Sequence, residues 1–231
     1  MADSTQETPP EDTAAAAPRR KRRRTGSYTA ADPRRQLIVE TAISHFARLG
    51  YYNSSLPKIA ADVGISQTGL LHHFGSKQEL LKAVLEAREN HAVEMFFSRL
   101  DQQHPDPVDL LGLIADQADF NATQPGLTQM YAVLSTEACN PDHPAHAYFQ
   151  ERYQRVIAFI AQSMRHGIDT GTVKADTDPE AIAREILATS DGFQVQFGLS
   201  GGTWNMTAAL RAYLDRLART LTTDGTGLRG A

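Results

Sequence analysis

The 231-residue chain is 41% hydrophobic, enough to build one or two packed domains, and no run approaches the ~18 apolar residues of a membrane helix, which excludes a helical span. Its one cysteine, Cys139, rules out an intrachain disulfide. With no apolar signal-peptide core at the N-terminus, this predicts a cytoplasmic protein in a reducing compartment, the thiol being a small buried side chain in a helix. The formal charge of −4 hides a polarity: residues 1–17 carry −4, residues 18–77 carry +8 and residues 78–231 carry −8. A cationic section ahead of an acidic body is the distribution that phosphate binding requires.

Residues 1–31 are rich in Ala, Thr and Pro, lack apolar periodicity and read as disordered. Within them Arg19 to Arg24, RRKRRR, is a block of six positive charges. Two readings stand: a solvated tail, or an arm that tracks phosphates or enters a minor groove beside a DNA-binding domain. Asp32-Pro33 then has the form of an N-cap followed by proline at the first helical position. The first helix is predicted to run to Leu49, burying Ile38, Ala42, Phe46 and Leu49, and to stop at Gly50. Tyr51 and Tyr52 fall either at a DNA-facing edge or in the core.

Residues 54–77, SSLPKIAADVGISQTGLLHHFGSK, organise the rest. Leu56, Ile59, Ala60 and Val63 recur at i, i+3, i+4 and i+7, so one face of a short helix is apolar. Ser55 precedes it as N-cap, Pro57 lies in its first turn, and Gly64 stands where a helix ends with positive φ. Ser66 caps a second short helix in which Leu70 and Phe74 face inward, while Thr68, Leu71 and His72 face outward with Gln67 on the flank. Gly75 closes it, and Ser76-Lys77-Gln78-Glu79 is a capping box opening a further helix. A nine-residue rod is roughly 13 Å long, matched to a major groove about 12 Å wide. This is the form of a helix-turn-helix, whose second helix enters that groove by its N-terminal part.

The spacing resembles the TetR family of transcriptional regulators. The residues that carry the resemblance are Ser54 or Ser55, Ile59-Ala60, Gly64-Ile65-Ser66, Leu70, His73-Phe74 and Ser76-Lys77 with Leu80. Members often have Tyr where this chain has Leu71, and that Tyr commonly touches the DNA backbone. Leu71 has no donor and is suited to a thymine methyl instead. The candidate phosphate contacts are Arg34, Arg35, Lys58, His73 and Lys77, with Ser54 and Ser55. The candidate base-edge contacts are Gln67, Thr68, Leu71 and His72, and Ser66 and Gly69 at the start of the same helix belong to the DNA-binding set as well.

From Ser76 a fourth helix is expected to continue to about residue 103, roughly 37 Å to Leu100, connecting the 32–77 head to a body over 104–231. The body shows helical periodicity throughout, with starts at Asp106-Pro107 and Asp178-Pro179, breaks at Pro125-Gly126, 140–144 and 198–202, and a Gly-rich end that should fray. No segment has a β period, so the fold is predicted to be all-α with about nine helices. The resemblance implies a small-molecule pocket within the fifth to seventh helices and a homodimer through the eighth and ninth. Candidate ligand contacts are Gln117, Phe120, Tyr131, Glu137, Tyr153 and Phe159, although an aromatic stripe at helical spacing is more often ordinary core. The apolar stripe of the ninth helix serves either pairing or packing within the protomer.

The competing readings are an enzyme and an architectural DNA-binding protein. His143 and His146, with Asp142, are the nearest approach to a metal site, but two prolines make that segment a loop and no Glu-x-x-His pair exists. Gly225 to Gly230 matches a dinucleotide pattern by letter alone, with no strand before it. The sequence therefore predicts no catalytic residues, metal or cofactor. Its partners are expected to be a double-stranded operator, a largely apolar effector and a second copy of the chain.

Overall fold

The computed structural model describes residues 32–229, so the RRKRRR arm lies outside the described residues. The described chain is helical, without a strand: α1 (Pro33–Asn53), α2 (Leu56–Val63), α3 (Gln67–Phe74), α4 (Lys77–Met95), α5 (Pro107–Ala122), α6 (Pro125–Glu137), α7 (His146–Asp169), α8 (Pro179–Leu199) and α9 (Met206–Leu221). Local chemistry sets most of the starts. Ser55, Ser66, Ser76, Asp106 and Asp178 each accept a hydrogen bond from a first-turn N–H through the side chain. Pro57, Pro107 and Pro179 occupy first-turn positions where no N–H is needed.

Two apolar clusters hold these helices. The first joins Ile38, Ala42 and Phe46 of α1 to Ile59, Leu70 and Phe74 of the short helices and to Leu80 and Val84 of α4. It continues into Met130 and Leu134 of α6 and Phe149 of α7, so the three-helix head shares its core with part of the body. The second is built by Leu110 and Leu111 of α5, Ile160 and Met164 of α7, Ile186 of α8, and Leu210, Leu214 and Leu221 of α9.

Four expectations are corrected. Leu49 is 36% exposed, because Gly50 leaves helical geometry (φ 68, ψ −176) and Tyr51 takes the inward place instead. The fourth helix stops at Met95 rather than near residue 103. Phe96 turns to meet Phe120, ring centroids 5.8 Å apart, while Phe97 and Leu100 join the second cluster. The gain from burying these side chains outweighs continuing a solvent-facing helix. Cys139 is exposed in a turn. Residues 222–229 do not fray: Thr222 bridges to Val173, Leu228 is buried, and its N–H donates to Asp215 at 3.0 Å.

Candidate nucleic-acid interface and effector cavity

The helix-turn-helix is locked by its own turn. Gly64 adopts φ 77, ψ 34, and its N–H points back to the Ala60 and Ala61 carbonyls. Ile65 donates to Ala60 O at 2.9 Å, and Ser66 Oγ accepts from Gly69 N at 3.0 Å. Leu70 and Phe74 are buried, which leaves Ser66, Gln67, Thr68 and His72 exposed, with Gly69, Leu71 and His73 half-buried beside them. Lys58 is exposed on α2 and Ser55 is half-buried at its start, where its hydroxyl accepts from Lys58 N. Arg34 and Arg35 are exposed at the start of α1, the Arg35 guanidinium lying 4.7 Å from the Phe74 ring centroid. Behind this surface, His45 of α1 meets Asp62 of α2, Nε2 to Oδ2, at 2.7 Å.

The head is fastened to the body at the end of α1. Glu137, the last residue of α6, accepts the Tyr51 backbone N–H at 2.7 Å. A Cβ on Gly50 would stand 1.8 Å from Glu137 Oε1, so only glycine lets the carboxylate in. His143 Nε2 lies 3.5 Å from Glu137 Oε2 and packs edge-on against both Tyr51 and Tyr52. Burial pushes the His143 pKa below its usual value, against the opposing pull of Glu137. Lys77 completes the junction, its ammonium 4.4 Å from the Tyr51 ring centroid and 3.3 Å from Tyr52 O. Burial lowers the Lys77 pKa, with Glu137 acting in the other direction.

A cavity of about 780 Å³ opens among α6, α7 and α8, walled by Tyr131, Ser135, Phe149, Tyr153, Ile157 and Val195 among others. Beside it lies a polar network. The guanidinium carbons of Arg88 and Arg152 stand 3.8 and 5.1 Å from the Tyr131 ring centroid. The Tyr153 hydroxyl donates to Asp191 at 2.5 Å, and the Tyr148 hydroxyl donates to Glu89 at 2.8 Å. Glu89 also pairs with Arg155. Burial raises the pKa of Tyr131, Tyr148, Tyr153 and Asp191, each for want of water around its charged form.

Residues 38–84 match the family model of bacterial regulatory proteins of the tetR family, and residues 114–221 match that of the BetI-type transcriptional repressor C-terminal region. This chain belongs to the TetR family of transcriptional regulators. It is 28% identical to the HTH-type transcriptional repressor SCO4008 of Streptomyces coelicolor, over 63% of this chain and 73% of that protein. It is 28% identical to the HTH-type transcriptional regulatory protein RaaS of Mycobacterium tuberculosis, over 76% and 77% respectively. Among solved structures it is similar in fold to SmeT, the repressor of the Stenotrophomonas maltophilia multidrug efflux pump SmeDEF. The TM-score is 0.68 at 19% identity, covering 85% of this chain and 94% of that one. The protein is thus a DNA-binding transcriptional regulator, a member of a family of regulators rather than of enzymes.

Two of the expected DNA contacts in this TetR-family chain have other work. Ser54 is 2% exposed and its hydroxyl donates to Gly50 O at 2.7 Å, so it closes the end of α1 and leaves the contact set. Lys77 is half-buried and engaged at the tyrosines. Of the six ligand candidates, Tyr131 and Tyr153 line the cavity, whereas Gln117, Phe120, Glu137 and Phe159 do not. Phe120 meets Phe96, Phe159 packs on the second cluster, and Glu137 holds the head. The cause is that α5, which carries Gln117 and Phe120, lies against α9, and α8 supplies the third wall. The sequence reading missed Arg88, Arg152 and Asp191. Arg88 continues the inward Leu81–Val84–Leu85 series at i+7, and Arg152 falls between Phe149 and Val156 on one face of α7. A charge on an apolar stripe was the available signal.

Proposed function

We propose that this regulator is a repressor that holds a palindromic operator as a homodimer and is released when a small molecule fills the α6–α7–α8 cavity. The single observation that carries the reading is the double duty of α6. One of its faces bears Tyr131 and Ser135 on the cavity, and its last residue, Glu137, holds the end of α1. An occupant that fits only one setting of α6 biases the position of the head by its differential affinity for the two settings.

In the proposed complex, Gln67, Thr68, Leu71 and His72 meet base edges, and Arg34, Arg35, Lys58, Ser55 and His73 meet phosphates. The pairing surface is the outward side of α8 marked by Ala188 and Leu199, which lie outside the cavity lining. Leu199 is 83% exposed. The apolar stripe of α9 serves the protomer instead, packing on α5. Two α3 helices presented by a dimer read two half-sites about one DNA turn, or a multiple of it, apart.

The test is an electrophoretic shift of the upstream DNA of the protein's own gene, at several salt concentrations. Thr68→Ala should relax sequence preference by about 1–3 kcal/mol at one base pair per half-site. Lys58→Ala should weaken all duplexes alike and reduce the salt slope by about 1 per protomer. A protein that retards every duplex equally, with or without candidate small molecules, overturns the reading.

A further inference from the structure

The network beside the cavity is unbalanced in charge. Two guanidiniums, Arg88 and Arg152, stand against one Tyr131 ring. Of the two carboxylates nearby, Glu89 is already engaged by Tyr148 and by Arg155 from the exposed side. Asp191, itself bound by the Tyr153 hydroxyl, faces both cations, and Glu89 acts on Arg152 as well. The hydrogen bonds are unbalanced in the same sense. Nε of Arg88, Nε of Arg152 and the Tyr131 hydroxyl are buried with no partner among the described residues, and all three are donors. Gln194 Oε1 is the one unpartnered acceptor of this group. Buried donors without acceptors, next to an excess of positive charge, are a destabilising arrangement that an incoming acceptor would relieve.

On the reading of this cavity as the effector site, we propose that its ligand is an acid. A carboxylate or comparable anionic head sits at Tyr131, within reach of the Arg88 and Arg152 guanidiniums, and an apolar tail runs along Phe149, Ile157 and Val195. A cationic ligand is disfavoured there because the ring that would attract it already carries two guanidiniums. A wholly apolar ligand would leave the three donors unanswered, so the largely apolar effector expected from sequence becomes an amphipathic one.

The experiment uses the full-length protein and matched sets of carboxylic acid, primary amide and trimethylammonium compounds on the same linear and phenylalkyl skeletons. Affinities are measured by titration calorimetry and checked by thermal shift. The acid should bind at least ~10-fold tighter than its own amide and cation, the scale of one desolvated charge contact. Arg152→Met and Arg88→Met should reduce that preference to roughly 2-fold or less while leaving amide affinity in place. Arg88→Met should also melt no lower than the wild type without ligand, since burial disfavours that cation. The wild-type ranking decides on its own should a variant fail to fold. An amide or cation that binds as tightly as the acid overturns acid selection and leaves the effector-cavity reading standing. Acid preference that survives both substitutions places the anion elsewhere and overturns the assignment. A panel in which no compound binds overturns both readings.

Discussion

Gly50 shows how much a single residue can carry. Its backbone (φ 68, ψ −176) lies in a region that is essentially open to glycine alone, and the space a side chain would use holds the Glu137 carboxylate. Gly50→Ala should therefore lower unfolding free energy by about 2–4 kcal/mol in urea titrations, from backbone strain and the lost Glu137 contact together. Gly50→Ala combined with Glu137→Ala should be less destabilising than the sum of the single changes, because the second removes the obstacle created by the first. A sum that is strictly additive would mean the two residues do not share the site. His143 makes a pH prediction at the same place. Its folded pKa lies below the unfolded value of 6.5, so between the two values the unfolded chain binds a proton that the native chain does not. Stability is full above pH 6.5 and declines as pH falls through that value toward the lower folded pKa. His143→Gln should flatten this acid limb of a stability-against-pH curve. A limb of unchanged slope would place the titration elsewhere.

At the scale of elements, the starts of helices were legible because capping is local. Ser55, Ser66, Ser76, Asp106 and Asp178 act as side-chain caps where the sequence places them. The inward and outward faces of α3 were legible from 100° periodicity for the same reason. What an apolar stripe packs against was not legible, since periodicity names a face but no partner. The α9 stripe, open to either reading in the sequence, is spent on α5. Phe96 ends α4 through a ring 24 positions away, a contact that no local pattern announces. The cavity wall moved from α5 to α8 by the same logic. With α9 occupied, α8 still offers Leu199 to solvent. Leu199→Glu should shift sedimentation from dimer to monomer and reduce operator affinity by at least ~10-fold, because a monomer presents one recognition helix per complex. A variant that remains dimeric would move the interface off α8.

For the whole molecule, charge separates the two tasks. Several arginines of the acidic body are matched by its own carboxylates: Arg211 meets Asp116 at 2.7 Å and Asp119 at 2.6 Å, and Arg229 meets Asp109 at 2.7 Å. The acidic remainder repels a duplex, so approach is productive through the cationic head, and steering of this kind weakens as salt is added. Between the two tasks lies α6, with the cavity along one side and the Tyr51 backbone at its tip. On the proposed reading, recognition of a small molecule and attachment of the DNA-binding helices fall to separate parts of one short rod. Ser135 and Ala132, which line the cavity, would then be open to exchange for recognition of a new molecule, while the Gly50–Glu137 clasp would preserve the output. A lineage, or a sensor designer, can rewrite what this switch hears without disturbing what it says.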